Sequence, residues 1–190
     1  MYDYEVQYRR LRAIGMPGWA GHQYQRALAG VTGALDRLEQ GILPPPPGQM
    51  LELGCGNGLS SLVMAGRGYE VHGVDIAGMA VAWARERFAA AGLAGSFLEG
   101  SVCSMPFFED GAFDIVFDGS CLHCLIGDER AQCLAEVRRI LRIDWAFVVS
   151  SMCGEPKSDA PRARFDPKTN CLFEDSEPCR TLKPAAGVGA

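Results

Sequence analysis

Apolar positions along this chain change their period near residue 48. Before it, Leu28, Val31, Leu35 and Leu38 recur at helical spacing, which predicts a helix over 22–40 closed by Gly41. Residues 1–15 predict a polar, weakly amphipathic helix carrying Tyr2, Tyr4 and Tyr8, followed by a Gly- and Pro-rich loop over 15–21. Four prolines, Pro44 to Pro47, predict a stiff extended spacer. Beyond it, short apolar runs predict strands over 49–53, 70–74, 95–99, 113–117 and 146–151. Helical patterns over 59–66, 79–91 and 129–141 fall between them. The last helix is expected to bury Cys133, Leu134, Val137, Ile140 and Leu141 on one face. Strands alternating with helices predict an α/β fold: a Rossmann-like parallel sheet with helices on both faces. After residue 154 the pattern stops. The stretch is polar and proline-rich, Leu172-Phe173 is its one apolar pair, and an irregular tail is expected.

The length of 190 residues predicts one domain. Its expected parts are an N-terminal helical lid and Pro spacer (1–47), a Rossmann-like core (48–152) and the irregular tail (153–190). A net charge of -5 and the lack of a Lys/Arg stripe argue against a nucleic-acid partner, since phosphate neutralisation needs clustered cations. Arg138, Arg139 and Arg142 instead sit at a predicted helix end, where cations suit the dipole. No apolar run is long enough to span a membrane, the N-terminus lacks a signal-peptide core, and a cytoplasmic location is expected. The eight cysteines, without an export signal and mostly in apolar segments, read as reduced thiols.

The first strand runs into Glu52-Leu53-Gly54-Cys55-Gly56-Asn57-Gly58, and a helix follows. Glycines there let the backbone turn sharply and approach a ligand, beside the free N–H groups of a helix start. The second strand ends at Asp75, where a carboxylate can accept from ribose hydroxyls. That much suits either NAD or S-adenosylmethionine. Two details favour the latter. The third glycine falls one place earlier than the dinucleotide motif requires, with Leu59 in its stead, and Glu52 supplies an anion for a sulfonium and an amino group.

Glu52 to Gly58 resembles motif I of the class I S-adenosylmethionine-dependent methyltransferases. The similarity continues through residues 71–76, 100–107 and 113–118 and into the helix with Glu136 to Leu141. It covers about half the chain in the family's order. The resemblance implies that Glu52, Gly54, Cys55, Gly56, Asn57 and Gly58 wrap the methionine part and that Asp75 binds the ribose. It further implies that Ile76 packs on the adenine, that Ser101 and Val102 flank the adenine edge, and that Asp118, Gly119 and Ser120 lie toward the methyl group. Cys121 and the lid residues Trp19 and Tyr24 are then expected at the acceptor, with His123 as the candidate general base. A packed loop histidine is the alternative for His123. The Cys121-Leu122-His123-Cys124 run has half of a zinc spacing but no matching second pair, and no metal is expected.

Two departures stand out. The family's turn before the fifth strand has glycines, whereas Arg142-Ile143-Asp144-Trp145 has none to take a positive φ. The family's sheet has seven strands, whereas no final pair is legible here, so a shortened sheet is expected. An exposed edge would invite a homodimer. The implied function is methyl transfer to a small-molecule acceptor with S-adenosylhomocysteine as product. The alternative is a non-catalytic S-adenosylmethionine-binding module acting through a partner.

Overall fold

The computed structural model describes residues 2–151, 159–167, 171–174 and 177–181. Two N-terminal helices, α1 (Tyr4–Ala13) and α2 (Tyr24–Leu38), precede the sheet. The core follows as β1 (Gln49–Leu53), α3 (Leu59–Ala65), β2 (Glu70–Asp75), α4 (Gly78–Ala91), β3 (Ser96–Glu99), β4 (Phe113–Gly119), α5 (Glu129–Ile140) and β5 (Leu141–Ser150). The five strands form one parallel sheet in the order β3-β2-β1-β4-β5. The order reverses between β1 and β4, and open α/β sheets place ligands at the carboxyl ends of strands beside such a switch point.

Alternate residues of each strand feed cores on opposite faces. Met50, Val71, Ile115 and Phe117 pack with Leu35, Met64, Ala84 and Phe88 beneath α2, α3 and α4. Leu51, Leu53, Val74 and Val116 pack with Cys133, Val137 and Ile140 of α5. Between β3 and β4 the chain crosses this second face without a helix, and Val102 and Met105 fill the space. The buried set on α5 is spaced 133, 137, 140, a single helical stripe. Leu134 lies beside that stripe and is 42% exposed, contrary to the expectation that it faces the core.

Helix α1 is tied onto α4. Asp3 caps α1 by accepting the Val6 N–H at 2.9 Å, and Glu5 accepts the Met79 N–H at 2.8 Å. Arg12 pairs with Glu86 at 2.5 Å.

Two expectations for the second half are corrected. No loop separates α5 from β5. Strand β5 begins at Leu141, and between its pairings with Phe113 and Ile115 the register shifts, so Arg142 to Trp145 bulge outward. Asp144 takes the positive φ of 67° that glycine would otherwise supply. Asp is among the few non-glycine residues that tolerate this region. Ile143 (88% exposed) and Trp145 (43% exposed) are left facing outward. Second, residues 153–190 are not simply irregular. They contain α6 (Asp159–Arg162) and the strands β6 (Phe165–Asp166), β7 (Cys171–Glu174) and β8 (Glu177–Thr181), paired antiparallel in a separate sheet. The parallel sheet still has five strands among the described residues, and β5 forms its edge. No helix among those residues is long and apolar enough to cross a membrane.

Candidate functional site

The carboxyl ends of β1, β2 and β4 open onto a cleft of about 950 Å³. Its first wall is the turn after β1. Gly54, Gly56 and Gly58 all have positive φ, at 58°, 53° and 75°. At Gly56 the need for glycine is also spatial, because a Cβ would lie 2.5 Å from the Tyr8 hydroxyl. Gly58 lies behind the turn against Ala84 and Phe88 and does not line the cleft.

Two buried carboxylates stand at this end. Asp75 closes β2 and accepts the Gly56 N–H at 2.8 Å and the Ala77 N–H at 2.9 Å. Each oxygen keeps a further lone pair for a ligand hydroxyl. Glu52 accepts the Ser61 N–H at 2.8 Å and the Ser61 hydroxyl. Burial pushes Glu52 up to about 7, against the opposing pull of the Ser61 and Ser60 hydrogen bonds. Burial also raises Asp75. Ile76 (59% exposed), Ser101 and Val102 continue the wall. An apolar rim beside two desolvated carboxylates and a tight glycine turn fits a cationic nucleoside, so the residues present suit S-adenosylmethionine.

The second wall is the bend after β4. Asp118 is fully buried and does not line the cleft. Its Oδ1 accepts the Cys121 N–H at 2.7 Å and the Leu122 N–H at 2.9 Å, which fixes the short 3₁₀ turn Leu122–Cys124. Ser120, between them, is held at φ 85°, a strained region for a residue other than glycine. This bend directs Gly119, Ser120, Cys121, His123 and Cys124 into the cleft. His123 is buried, and its Nδ1 has no hydrogen-bond partner among the described residues. Burial, helped by the positive charges of Arg180 and Arg130, pulls His123 down to about 4, so its imidazole is neutral near pH 7. Burial, with Asp118 adding repulsion, raises the Cys121 thiol well above its ordinary range and disfavours a thiolate. No cluster of three or more His, Cys, Asp or Glu side chains poised for a metal occurs among the described residues.

The N-terminal segment forms the roof. Trp19 packs against Tyr8 and Tyr4 with ring centroids 5.2 and 5.8 Å apart. Tyr24 lines the cleft with Arg87 over its ring at 4.8 Å. Asn57 reaches from the glycine turn to the Pro17 carbonyl at 2.9 Å and so joins roof to wall. A charged lining residue comes from the stretch expected to be irregular. Arg180 of β8 enters the cleft, although Pro178 in the same run argues against a strand on sequence grounds.

Residues 51–149 match the family described as the methyltransferase domain. The chain belongs to that family. It is a class I S-adenosylmethionine-dependent methyltransferase domain, and S-adenosylmethionine is its cofactor. The chain is similar to the ribosomal RNA small subunit methyltransferase C of Alcanivorax borkumensis, at 33% identity over half of this chain. It spans about a quarter of that relative's length (27%). The solved PH0226 protein of Pyrococcus horikoshii is 26% identical with a TM-score of 0.63, over 74% of this chain and 63% of that one. A candidate S-adenosylmethionine-dependent methyltransferase of Methanococcus maripaludis, 21% identical with a TM-score of 0.58, shares the fold over 70% of this chain and 61% of its own.

Proposed function

We propose that this chain transfers the methyl group of S-adenosylmethionine to a nucleophilic atom of a small molecule held in the cleft. One observation supports the reading: two buried carboxylates, Glu52 and Asp75, converge with the glycine turn at one end of a cleft whose other end is lined by Tyr4, Cys121, His123, Cys124 and Arg180. Bound S-adenosylmethionine would supply an electrophilic methyl group on a sulfonium centre.

In this reading Asp75 takes the ribose hydroxyls and Glu52 faces the positively charged methionine end, where low dielectric strengthens attraction. Ile76 and Val102 flank the adenine, with Ser101 at its edge. Gly54 and Gly56 let the backbone come close, while Gly58 and Asp118 act from behind by shaping the two turns. Tyr8 and Trp19 exclude water and hold the acceptor in line with the methyl carbon, which is where such a site gains most of its rate. His123, being neutral, accepts a hydrogen bond from the acceptor's O–H or N–H. It takes that proton as the nucleophile bonds the methyl carbon and the sulfur leaves with the C–S electron pair, and, being a weak base here, releases it to solvent. The product is S-adenosylhomocysteine.

A small acceptor is favoured over a nucleic acid by the charge distribution. Several arginines that could contribute to a basic face are committed to ion pairs within the chain. Arg12 pairs with Glu86, Arg67 with Asp36 and Glu39, Arg139 with Asp110 and Glu136, and Arg142 with Asp114. Phosphate recognition needs such side chains to be available.

Calorimetric titration with S-adenosylhomocysteine tests the reading. Micromolar binding by the wild type, weakened roughly tenfold or more in Asp75→Asn with the melting temperature held, is the expected outcome. A folded wild-type chain that binds no S-adenosylhomocysteine would overturn it.

A further inference from the structure

Arg180 sits on β8 opposite Leu172 of β7, and Leu172 is buried. Strand β8 lies against the 3₁₀ turn Leu122–Cys124. The guanidinium lines the cleft and exerts its charge on Tyr4 and His123, so it belongs to the end beyond β4 rather than to the Asp75 end. Among the described residues that line the cleft it is the single full positive charge, because His123 is neutral.

The carboxylates of the cleft are occupied elsewhere. Asp3 caps α1, and Glu5 holds Arg9 and the Met79 N–H. Glu52 holds Ser61, and Asp75 holds Gly56 and Ala77. Glu129 accepts the Ile126 N–H at 3.0 Å. None of the ion pairs among the described residues includes Arg180. A guanidinium in a half-buried cleft, beside uncharged Tyr4 and His123, is matched by an oxyanion brought from outside, bound through two parallel N–H donors.

We propose that Arg180 is a specificity-determining residue that pairs with a carboxylate or phosphate on the methyl acceptor, which makes the acceptor an acidic small molecule. This rests on the reading of the cleft as a methyl-transfer site. The two carboxylates at one end then receive a cation and the arginine at the other receives an anion. The charge pattern along the cleft thus orients two substrates head to head, with the transferring methyl between them.

The test uses the full chain saturated with S-adenosylhomocysteine and three probes of one shape: benzoate, phenyl phosphate and neutral benzamide. Binding is read by ligand-observed NMR. At least one anion is expected to bind roughly tenfold more tightly than benzamide, and the tighter of the two identifies the oxyanion. Arg180→Gln should erase that preference and Arg180→Lys should keep part of it, with S-adenosylhomocysteine affinity and melting temperature unchanged in both. Anions that bind no better than benzamide, or a preference that survives Arg180→Gln, overturn the proposal. A wild-type chain that fails to take S-adenosylhomocysteine fails the methyl-transfer reading itself, and that step is measured first.

Discussion

The two ends of the cleft are built by different means. The end at β1 and β2 is made from residues close in sequence. Gly54, Gly56 and Glu52 lie on one strand–turn–helix unit, and Asp75 ends the next strand and bonds directly to Gly56. The end beyond β4 is assembled from afar: Tyr4 and Trp19 from the N-terminus, His123 from the bend after β4, and Arg180 from a separate sheet. The first end is a backbone device, constrained by φ angles and N–H groups, and admits few sequences. The second is a side-chain device on several elements and can vary without disturbing the fold. The division fits a shared cofactor and an individual acceptor.

Three perturbations sharpen this contrast. The largest effect is expected from Gly56→Val, which combines a left-handed φ with a Cβ 2.5 Å from the Tyr8 hydroxyl. S-adenosylhomocysteine affinity should drop by roughly a hundredfold, while the parallel sheet keeps its far-ultraviolet circular dichroism. Calorimetry beside spectroscopy reads both, and near-wild-type affinity would break the claim that backbone shape defines this end. Next is Asp118→Ala, which deletes the acceptor of two N–H groups at the bend. A loss of about 3 kcal/mol in urea denaturation is expected. S-adenosylhomocysteine affinity should fall less than in Asp75→Asn, because the damage lies at the other end.

The smallest effect concerns pH. Glu52 is pushed up to about 7 from an ordinary value of 4.5. A raised carboxyl favours the fold in its protonated form. Its contribution to the stability of the empty chain is fully present below about 4.5 and is lost as pH rises through about 7. Affinity for cationic S-adenosylmethionine has the opposite sign, because it needs the ionised form. It should strengthen by up to about tenfold between about pH 6 and pH 8. Glu52→Gln should flatten that profile. A slope unchanged by the substitution would assign it to another group.

Much of the first end was legible in the sequence. The glycines, Glu52 and Asp75 are read from one short window and a strand end, and apolar periodicity places β1 to β4 within about two residues of their observed limits. What escaped has physical causes. Residues 142–145 were expected to connect α5 to a strand beginning at residue 146 without a glycine for positive φ; Asp144 takes the left-handed conformation instead, inside a bulged strand that already begins at Leu141. The strands after residue 164 are two to five residues long and one contains Pro178, so their pairing leaves no periodic trace. Arg180 escaped with them. Asp118 was expected toward the methyl group; it does not line the cleft, and its Oδ1 accepts two backbone N–H groups of the bend, a use that no side-chain pattern reveals.

Ser120 bears on how this site can change over generations. At φ 85° it occupies a conformation that branched side chains resist, yet it carries no charge and closes no core. Glycine, asparagine and aspartate are the replacements such a backbone admits most readily. A library of variants would therefore be filtered at this position by the shape of the main chain, and the bend that aims His123 and Cys121 into the cleft would persist through lineages whose acceptors had long since diverged.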